Sequence, residues 1–437
     1  MALFDAHVDI AVPGLDAVKL PRMARIRQKM VGDEIKDIAG EIGRGVDALS
    51  VGGRSLDLRD KSVAVTAGSR GIADYAKLLH AIVSKLKDMG ARPFVFPAMG
   101  SHGGGTAGGQ RELLERYGVS EATMGVPVRS SMETVEIGRL PNGTPVCCDK
   151  FAWEADGVVL FNRVKPHTDF KGDWESGLLK MCAIGVGKHE GATSMHRAGF
   201  VRFHEQIPEV GKFFLEKAKV LFGVTSVENG YEHVMRVDVI PPAEIVERER
   251  ELLVLARKSM ARLPFDDIDI LAVDEIGKNI SGSGMDPNVI GRPGMREITF
   301  PDMPHIGCIV ILGLSEATHG SAVGMGAADV ITRRVVAEID LAQTYINHVT
   351  SGAILGAAIP LVAKDDEEAM RVALYSVPFR EGGERIVHIR NTLLLEEFEV
   401  SENMLPEIRK RAELTVLSEP RFMDFAEGRL SRAQAGR

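Results

Sequence analysis

Five short runs of β-branched and aromatic residues punctuate the chain: SVAVTA (62–67), PFVFPA (93–98), GVVLF (157–161), IDILAV (268–273) and CIVILGL (308–314). Each gives way to glycine or polar residues, as a buried strand does where a loop closes it. Between them, apolar residues recur at helical spacing in ADYAKLLHAIVSKLKDM (73–89), which Gly90 ends, and GGQRELLERY (108–117) reads as a short helix ended by Gly118. The most extended helical pattern, PAEIVERERELLVLARKSMARL (242–263), opens on Pro242, which suits a first turn. Its length and charge suit a helix bridging two domains. Strand, Gly-rich loop and helix in alternation predict an α/β fold: two α/β domains with mostly parallel sheets and a cleft between them. The division expected is 1–255 for a catalytic domain and 256–437 for a substrate-side domain. In such sheets ligands bind beyond the carboxyl ends of the strands, which is where the glycines cluster.

Composition narrows the classes. A chain of 437 residues exceeds one comfortable core and favours two domains. Hydrophobic content of 45% and charged content of 26% are those of a soluble globular protein. The net charge of −8 leaves no basic footprint for nucleic acid. Cys147, Cys148, Cys182 and Cys308 show no zinc spacing, and a reducing, cytoplasmic setting is expected. The start MALFDAHVDIAVPG carries Asp5 and Asp9 where a signal peptide wants positive charge and then an apolar run. No window holds about 18 consecutive apolar residues, so no membrane partner is expected. Oligomeric state is not legible in this pattern.

Four segments carry candidate chemistry. In TAGSRGI (66–72), Arg70 leaves a strand and is placed to clamp a phosphate or carboxylate; the plainer reading is a solvated loop arginine. AMGSHGGGTAGGQ (98–110) runs from strand to glycine loop to helix, an anion site in outline. It is neither a Walker loop nor a dinucleotide fingerprint. His102 sits in it beside Ser101, Gly103, Gly104 and Gly105. In FNRVKPHTDFKGDWESGLLK (161–180), Pro166 fixes a turn and helps aim His167, while Trp174 reads equally as packing. Lastly, GLLKMCAIGVGKHEGATSMHR (177–197) sets Lys180 among Leu178, Leu179, Met181 and Cys182. An apolar setting favours the neutral, nucleophilic amine; the alternative is a snorkelling lysine on a half-buried helix. His189 and His196 are seven residues apart, too far for the usual two-histidine zinc pair.

Gly100-Ser101-His102, Pro166-His167, Lys180-Met181 with Gly185-Val186, and His196 sixteen residues after the lysine together resemble the nickel-pincer lactate racemase family over roughly residues 60–200. The resemblance implies a nickel-pincer nucleotide, a pyridinium mononucleotide bearing two sulfur groups, carried on Lys180. Nickel would be held by the two sulfurs, a ring carbon and His196, with His189 the rival ligand and Lys188 a weaker rival for Lys180. His102 and His167 would be paired acid/bases, Arg70 an active-site arginine, and Ser101 and Gly103–Gly105 the phosphate cradle. A planar nickel site suits nitrogen with pincer donors. The implied activity is racemisation or epimerisation of a 2-hydroxy acid through a 2-keto acid. Moving a hydride avoids a carbanion beside a carboxylate, and two histidines serve the hydroxyl from two directions.

The sequence also departs from the family. The position three before Arg70 is Ala67 where an acid is common, and the gap from His167 to Lys180 is a few residues longer, with KGDWES filling it. Lys278, Asn279 and His319 (with Thr318) are substrate-side candidates on loops of the C-terminal half. Charge at 171–175 and 278 suggests a larger or more acidic hydroxy acid, or a sugar acid, with cofactor-synthesis enzymes as partners. A nicotinamide-dependent dehydrogenase is the rival enzyme class, but loop 66–72 lacks its glycine fingerprint. A Schiff-base lyase using Lys180, or a non-catalytic relative that binds cofactor or hydroxy acid, are further alternatives.

Overall fold

The computed structural model describes residues 11–51, 54–69, 71–196, 199–295, 298–300, 302–431 and 433. The chain folds as two compact units, Val31–Met260 and Met1–Met30 with Ala261–Arg437. In chain order the strands of the two main sheets are β1 (Arg22–Gln28), β2 (Ser62–Ala67), β3 (Arg92–Pro97), β4 (Gly157–Arg163), β5 (Val220–Glu228), β6 (Val234–Ile240), β7 (Asp267–Val273), β8 (His305–Ile311), β9 (Val330–Thr332), β10 (Leu361–Ala363), β11 (Ile386–Ile389), β12 (Glu397–Ser401) and β13 (Leu414–Val416). The helices used below are α1 (Tyr75–Asp88), α2 (Ala107–Arg116), α3 (Lys188–His196), α4 (Phe203–Lys217) and α5 (Ile245–Ser259). The five apolar runs of the sequence are thus β2, β3, β4, β7 and β8, and the α/β class with mostly parallel sheets holds.

In the Val31–Met260 unit the sheet runs β6-β5-β4-β2-β3. Three of its four pairings are parallel and β5–β6 is antiparallel. Val63, Val65 and Ala67 of β2 face a core with Leu78, Leu79 and Ile82 of α1 and Leu114 of α2. Helix α1 stops where Gly90 takes φ +80° and α2 where Gly118 takes φ +77°, a left-handed turn open to glycine without strain. Helix α5 is no free-standing bridge. Ile245, Leu252, Leu253 and Ala256 are buried along one side of it, and it ends four residues before the apolar pattern does.

The second sheet runs β10-β9-β8-β7-β11-β12-β1-β13, parallel from β10 to β11 and antiparallel beyond, with Arg421–Phe422 also pairing β1. Successive residues of β7 serve opposite cores: Ile268, Leu271 and Val273 one, Ile270 and Ala272 the other. A strand buried on both faces reads as a continuous apolar run, which is why IDILAV is so plain in the sequence.

Where this sheet changes sense, His388 of β11 is buried at 1% exposure. Its Nε2 lies 2.8 Å from Asp274 Oδ1 and its Nδ1 3.0 Å from Glu399 Oε2, while Asp274 Oδ2 accepts the Ala433 N–H at 2.7 Å. Burial alone would lower this imidazole; the hydrogen bonds and charges of Asp274 and Glu399 outweigh it and raise the pKa to about 9. A folded-state pKa above the unfolded value stabilises below the unfolded pKa and ceases to as the pH climbs through the folded one. The stability of this unit is therefore expected to fall between about pH 6.5 and pH 9, by up to about 3 kcal/mol. His388→Gln should flatten that slope and lower the urea midpoint at pH 6.5, as read from urea denaturation across a pH series.

Candidate active site

The chain passes from β2 to β3 on one side and then returns to β4 on the other side of β2. That reversal makes the carboxyl ends of β2 and β4 a topological switch point, where open α/β sheets bind ligands. The two strands also part there. Ladder pairing spans only Val63–Gly157 to Val65–Val159. Beyond it the Thr66 hydroxyl takes over, accepting the Phe161 N–H at 2.7 Å and donating to the Phe161 carbonyl at 3.2 Å. The Thr66 side chain is thus inserted in the ladder at the switch point, the place where such sheets form their crevice.

The Lys180 segment is seated across three strand ends. Asn162, on β4, donates to the Gly177 carbonyl at 2.8 Å. Met181 Cε lies 3.5 Å from where a Cβ on Gly68, just past β2, would sit. Gly100, past β3, donates its N–H to the Gly185 carbonyl at 3.2 Å. Leu178–Lys180 form one α turn, and Met181–Gly185 continue it as a π turn with Val186 N–H bonded to Met181 O at 2.9 Å. Such wide turns are rare and recur at functional sites. Lys180 ends the first turn, partly exposed, while Leu178, Leu179, Met181 and Cys182 around it are buried.

The glycine loop is built for a left-handed path. Gly103, Gly104 and Gly105 take φ +65°, +66° and +64°, a run that side chains resist. A Cβ at Gly104 would meet nothing within 4 Å, and one at Gly105 would lie 3.7 Å from His189 Nδ1. Ser101 and His102 are exposed at the loop's entrance. The Thr106 hydroxyl then caps α2 through the Gly109 N–H at 3.1 Å.

Beneath the loop lies Lys188, wholly buried. Its ammonium donates to the Pro97 carbonyl and to Gln110 Oε1 (3.3 Å), and pairs with Asp149 Oδ2 at 3.0 Å. Gln110 in turn donates to the carbonyls of Gly100 (2.9 Å) and His102 (3.2 Å). Burial pulls the Lys188 pKa down and pushes that of Asp149 up, against their mutual attraction. Lys188 is thus a strut under the loop.

His167 is buried beyond β4. Its Nδ1 accepts the Asp169 N–H at 3.0 Å and stands 3.7 Å from Asp169 Oδ2, and its ring lies 4.3 Å from that of Phe170. The loop around it is shaped by Glu175, whose side chain is fully enclosed. Glu175 accepts the N–H of His167 and that of Gly172 (3.3 Å), and binds Arg257 at 2.6 Å, with Lys171 3.7 Å away. Two charges of KGDWES, Lys171 and Glu175, are therefore engaged in holding the His167 loop, while Asp173 is exposed. Trp174 does pack, donating to the Val246 carbonyl at 2.7 Å under Lys212.

Two expected residues fall elsewhere: Arg70 lies outside the described residues, and so does the side chain of His196, whose backbone ends α3. His189, exposed at the start of α3, has Nε2 3.5 Å from Thr193 Oγ1. In the other unit, the loops after β7 and β8 come together. Lys278 donates its N–H to Thr318 Oγ1 (3.2 Å) and its ammonium to Asn347, while Ser315 donates to Asn279 Oδ1 at 2.5 Å. His319 is exposed there at φ +50°. A cavity of about 620 Å³ in that unit is lined by Met295, Tyr345, His348, Val349, Ile354 and Leu355, outside all of these. Among the described residues no group of three or more His, Cys, Asp or Glu gathers as a metal site, and no helix is long and apolar enough to cross a membrane. The four cysteines are free and buried.

Sequence reasoning missed Lys188, Glu175 and Glu249 as the charges that position these loops. The one signal for Lys188 was its place in a run of glycine and apolar residues. Lys188→Met leaves Asp149 buried without its partner, and is expected to cost about 3–5 kcal/mol in urea denaturation. Lys188→Met with Asp149→Asn, which keeps the cap on Ala152, should recover part of that loss.

Residues 60–207 match the family model described as the lactate racemase N-terminal domain. No curated protein sequence matches the chain. The structure of the lactate racemase apoprotein from Thermoanaerobacterium thermosaccharolyticum aligns over 84% of this chain and 92% of its own, with a TM-score of 0.51 and 14% identity. A crystal structure of a Thermotoga maritima protein aligns over 83% of this chain and 89% of its own, with a TM-score of 0.47 and 14% identity. The matched segment holds the switch point, the glycine loop and the Lys180 turn, and over residues 60–207 the chain is similar to the lactate racemase N-terminal domain.

Proposed function

We propose that the chain is a racemase or epimerase of 2-hydroxy acids that works with a nickel-pincer nucleotide. The observation that supports this most is the seating of the Lys180 turn over the ends of β2, β3 and β4, the strands whose loops lead to His102 and His167. The residues fit such a group. Lys180 offers an amine in apolar surroundings, the Gly103–Gly105 run offers backbone without side chains, and a pincer that brings its own sulfur and carbon donors asks the chain for a single imidazole, from His196 or His189. When bound, the group supplies a hydride acceptor.

The chain's own residues then handle the proton. One histidine takes the hydroxyl proton as the 2-hydroxy acid becomes a 2-keto acid, and a histidine on the other side returns one after the keto acid has turned over. His167 Nδ1 accepts the Asp169 N–H, so the neutral ring carries its hydrogen on Nε2; it takes up a further proton only at Nδ1, where that bond must give way, and passes one on from Nε2. As the ring gains charge, the Asp169 carboxylate stands ready to stabilise it. The His102 loop owes its course to Gln110 and Lys188. Arg70 would bind an anionic group, and a hydroxy acid larger than lactate is the favoured substrate.

Protein co-expressed with cofactor-synthesis enzymes should show a cofactor-sized mass on Lys180 and about one nickel per chain, as intact mass, peptide mapping and metal analysis would read. Absence of both would sink the reading. In a panel of 2-hydroxy acids and sugar acids followed for isomer exchange, His102→Ala and His167→Ala are each expected to lose about 100-fold or more in kcat. Unchanged activity in both would leave a non-catalytic relative as the better account, and lactate as the clearly best substrate would overturn the substrate proposal.

A further inference from the structure

Glu249 of α5 is a buried charge that the proposed chemistry does not use, at 1% exposure. Its Oε2 accepts the N–H of Leu178 and that of Leu179 (3.1 Å), the first donors of the Lys180 turn. Its Oε1 has no hydrogen-bond partner among the described residues. The residue before the turn, Gly177, is extended at φ 174° and supplies no cap of its own. A Cβ there would stand 2.4 Å from the Glu249 carboxyl carbon. The carboxyl group thus occupies the place of the missing side chain and caps the turn from about 70 residues away.

Capping alone does not call for this charge, because a serine or asparagine at the turn's own start does the same work. Burial pushes the Glu249 carboxyl up to about 7, the two backbone N–H groups offsetting only part of it. An acid with a folded-state pKa above its unfolded value detracts from stability as the pH rises between the two. Glu249 therefore weakens the fold as it ionises between about pH 4.5 and 7. Cys182, on the same turn, faces it, with its thiol held protonated by burial and then by Glu249. The arginines of α5 are turned to other acids: Arg248 to Asp238 and Glu251, Arg250 to Glu247, Arg257 to Glu175.

We propose that Glu249 is a positioning residue for Lys180: its carboxylate fixes the first turn, and its charge state tunes the reactivity of the amine that the turn carries. This rests on the reading of Lys180 as the attachment lysine. It predicts that the readiness of Lys180 to react follows a group other than the lysine itself.

The test is trace labelling of the cofactor-free protein with limiting acetic anhydride between about pH 5.5 and 9. Peptide mass mapping compares Lys180 with Lys36, whose side chain is 80% exposed. In the native protein, Lys180 labelling relative to Lys36 should show a step near pH 7. Glu249→Gln should remove that step and shift Lys180 reactivity on the order of two- to fivefold at pH 8, as a charge at a helix end does. Glu249→Asp should keep a step of altered size. Identical profiles for Glu249→Gln and native protein overturn the inference. Should Glu249→Gln not fold, hydrogen exchange at the Leu178 and Leu179 amides of the native protein decides. Protection that steps near pH 7, corrected for intrinsic exchange, supports the inference; protection that does not change there overturns it. The two proposals fail separately. A Glu249-dependent step with no adduct on Lys180 after co-expression with cofactor synthesis refutes the cofactor reading alone. A normal adduct with labelling indifferent to Glu249 refutes the positioning role alone.

Discussion

The candidate site depends on one buried ammonium. Lys188 reaches the last carbonyl of β3, the amide of Gln110 on α2 and the carboxylate of Asp149. These belong to three separate stretches of chain, and the glycine loop spans two of them. The loop cannot hold itself. Three consecutive left-handed glycines lose more conformational freedom on folding than any other residues would. Their course is set from below, by Gln110 holding the Gly100 and His102 carbonyls and by Lys188 holding Gln110. Desolvating Lys188 and Asp149 is costly, and three polar partners around the ammonium are what make a buried pair tolerable.

The same device recurs at the other two loops of the crevice. Glu175 lies under the His167 loop and gathers two backbone N–H groups and Arg257. Glu249 lies under the Lys180 turn and gathers two more backbone N–H groups. In each case an ionisable group is enclosed and the residue offered for chemistry is borne on the backbone above it. Loops carry the reactive groups because strand ends leave room there. Enclosed charges let those loops keep one shape where apolar packing would permit several.

The strands were legible because physics writes them locally. CIVILGL is apolar throughout, and IDILAV is apolar but for Asp269, since β7 and β8 are covered on both faces. Strand β1, RMARIRQ, was not legible. Its arginines interrupt the apolar run, and its partners, Glu397–Ser401 and Leu414–Val416, lie almost 400 residues away. The π turn at MCAIG is also silent, for an all-apolar stretch carries no periodicity to betray a wider turn. Within the site, His102, His167 and Lys180 could be named from short motifs and their order. The buried charges could not. Glu249 sits in ERERE, which reads as a solvated helix face, and Glu175 in a loop rich in charge. Only tertiary packing decides which member of such a run is enclosed. Gly177 held a usable hint: a glycine stands where a helix ordinarily begins with Ser, Thr, Asp or Asn.

That hint has a general form. Sequences agree with their folds at every level except where function asks otherwise. Here the disagreements cluster. Apolar residues could replace Lys188 with Asp149 in the core, and a local cap could replace Glu249, and either change would relieve a desolvation cost. The carboxyl ends of β2, β3 and β4 instead concentrate buried charge, left-handed glycine and a widened helical turn within one crevice. A fold selected for stability alone would spread such costs or shed them. Their concentration around Lys180, His102 and His167 is an argument for chemistry at this crevice that stands apart from any resemblance of sequence.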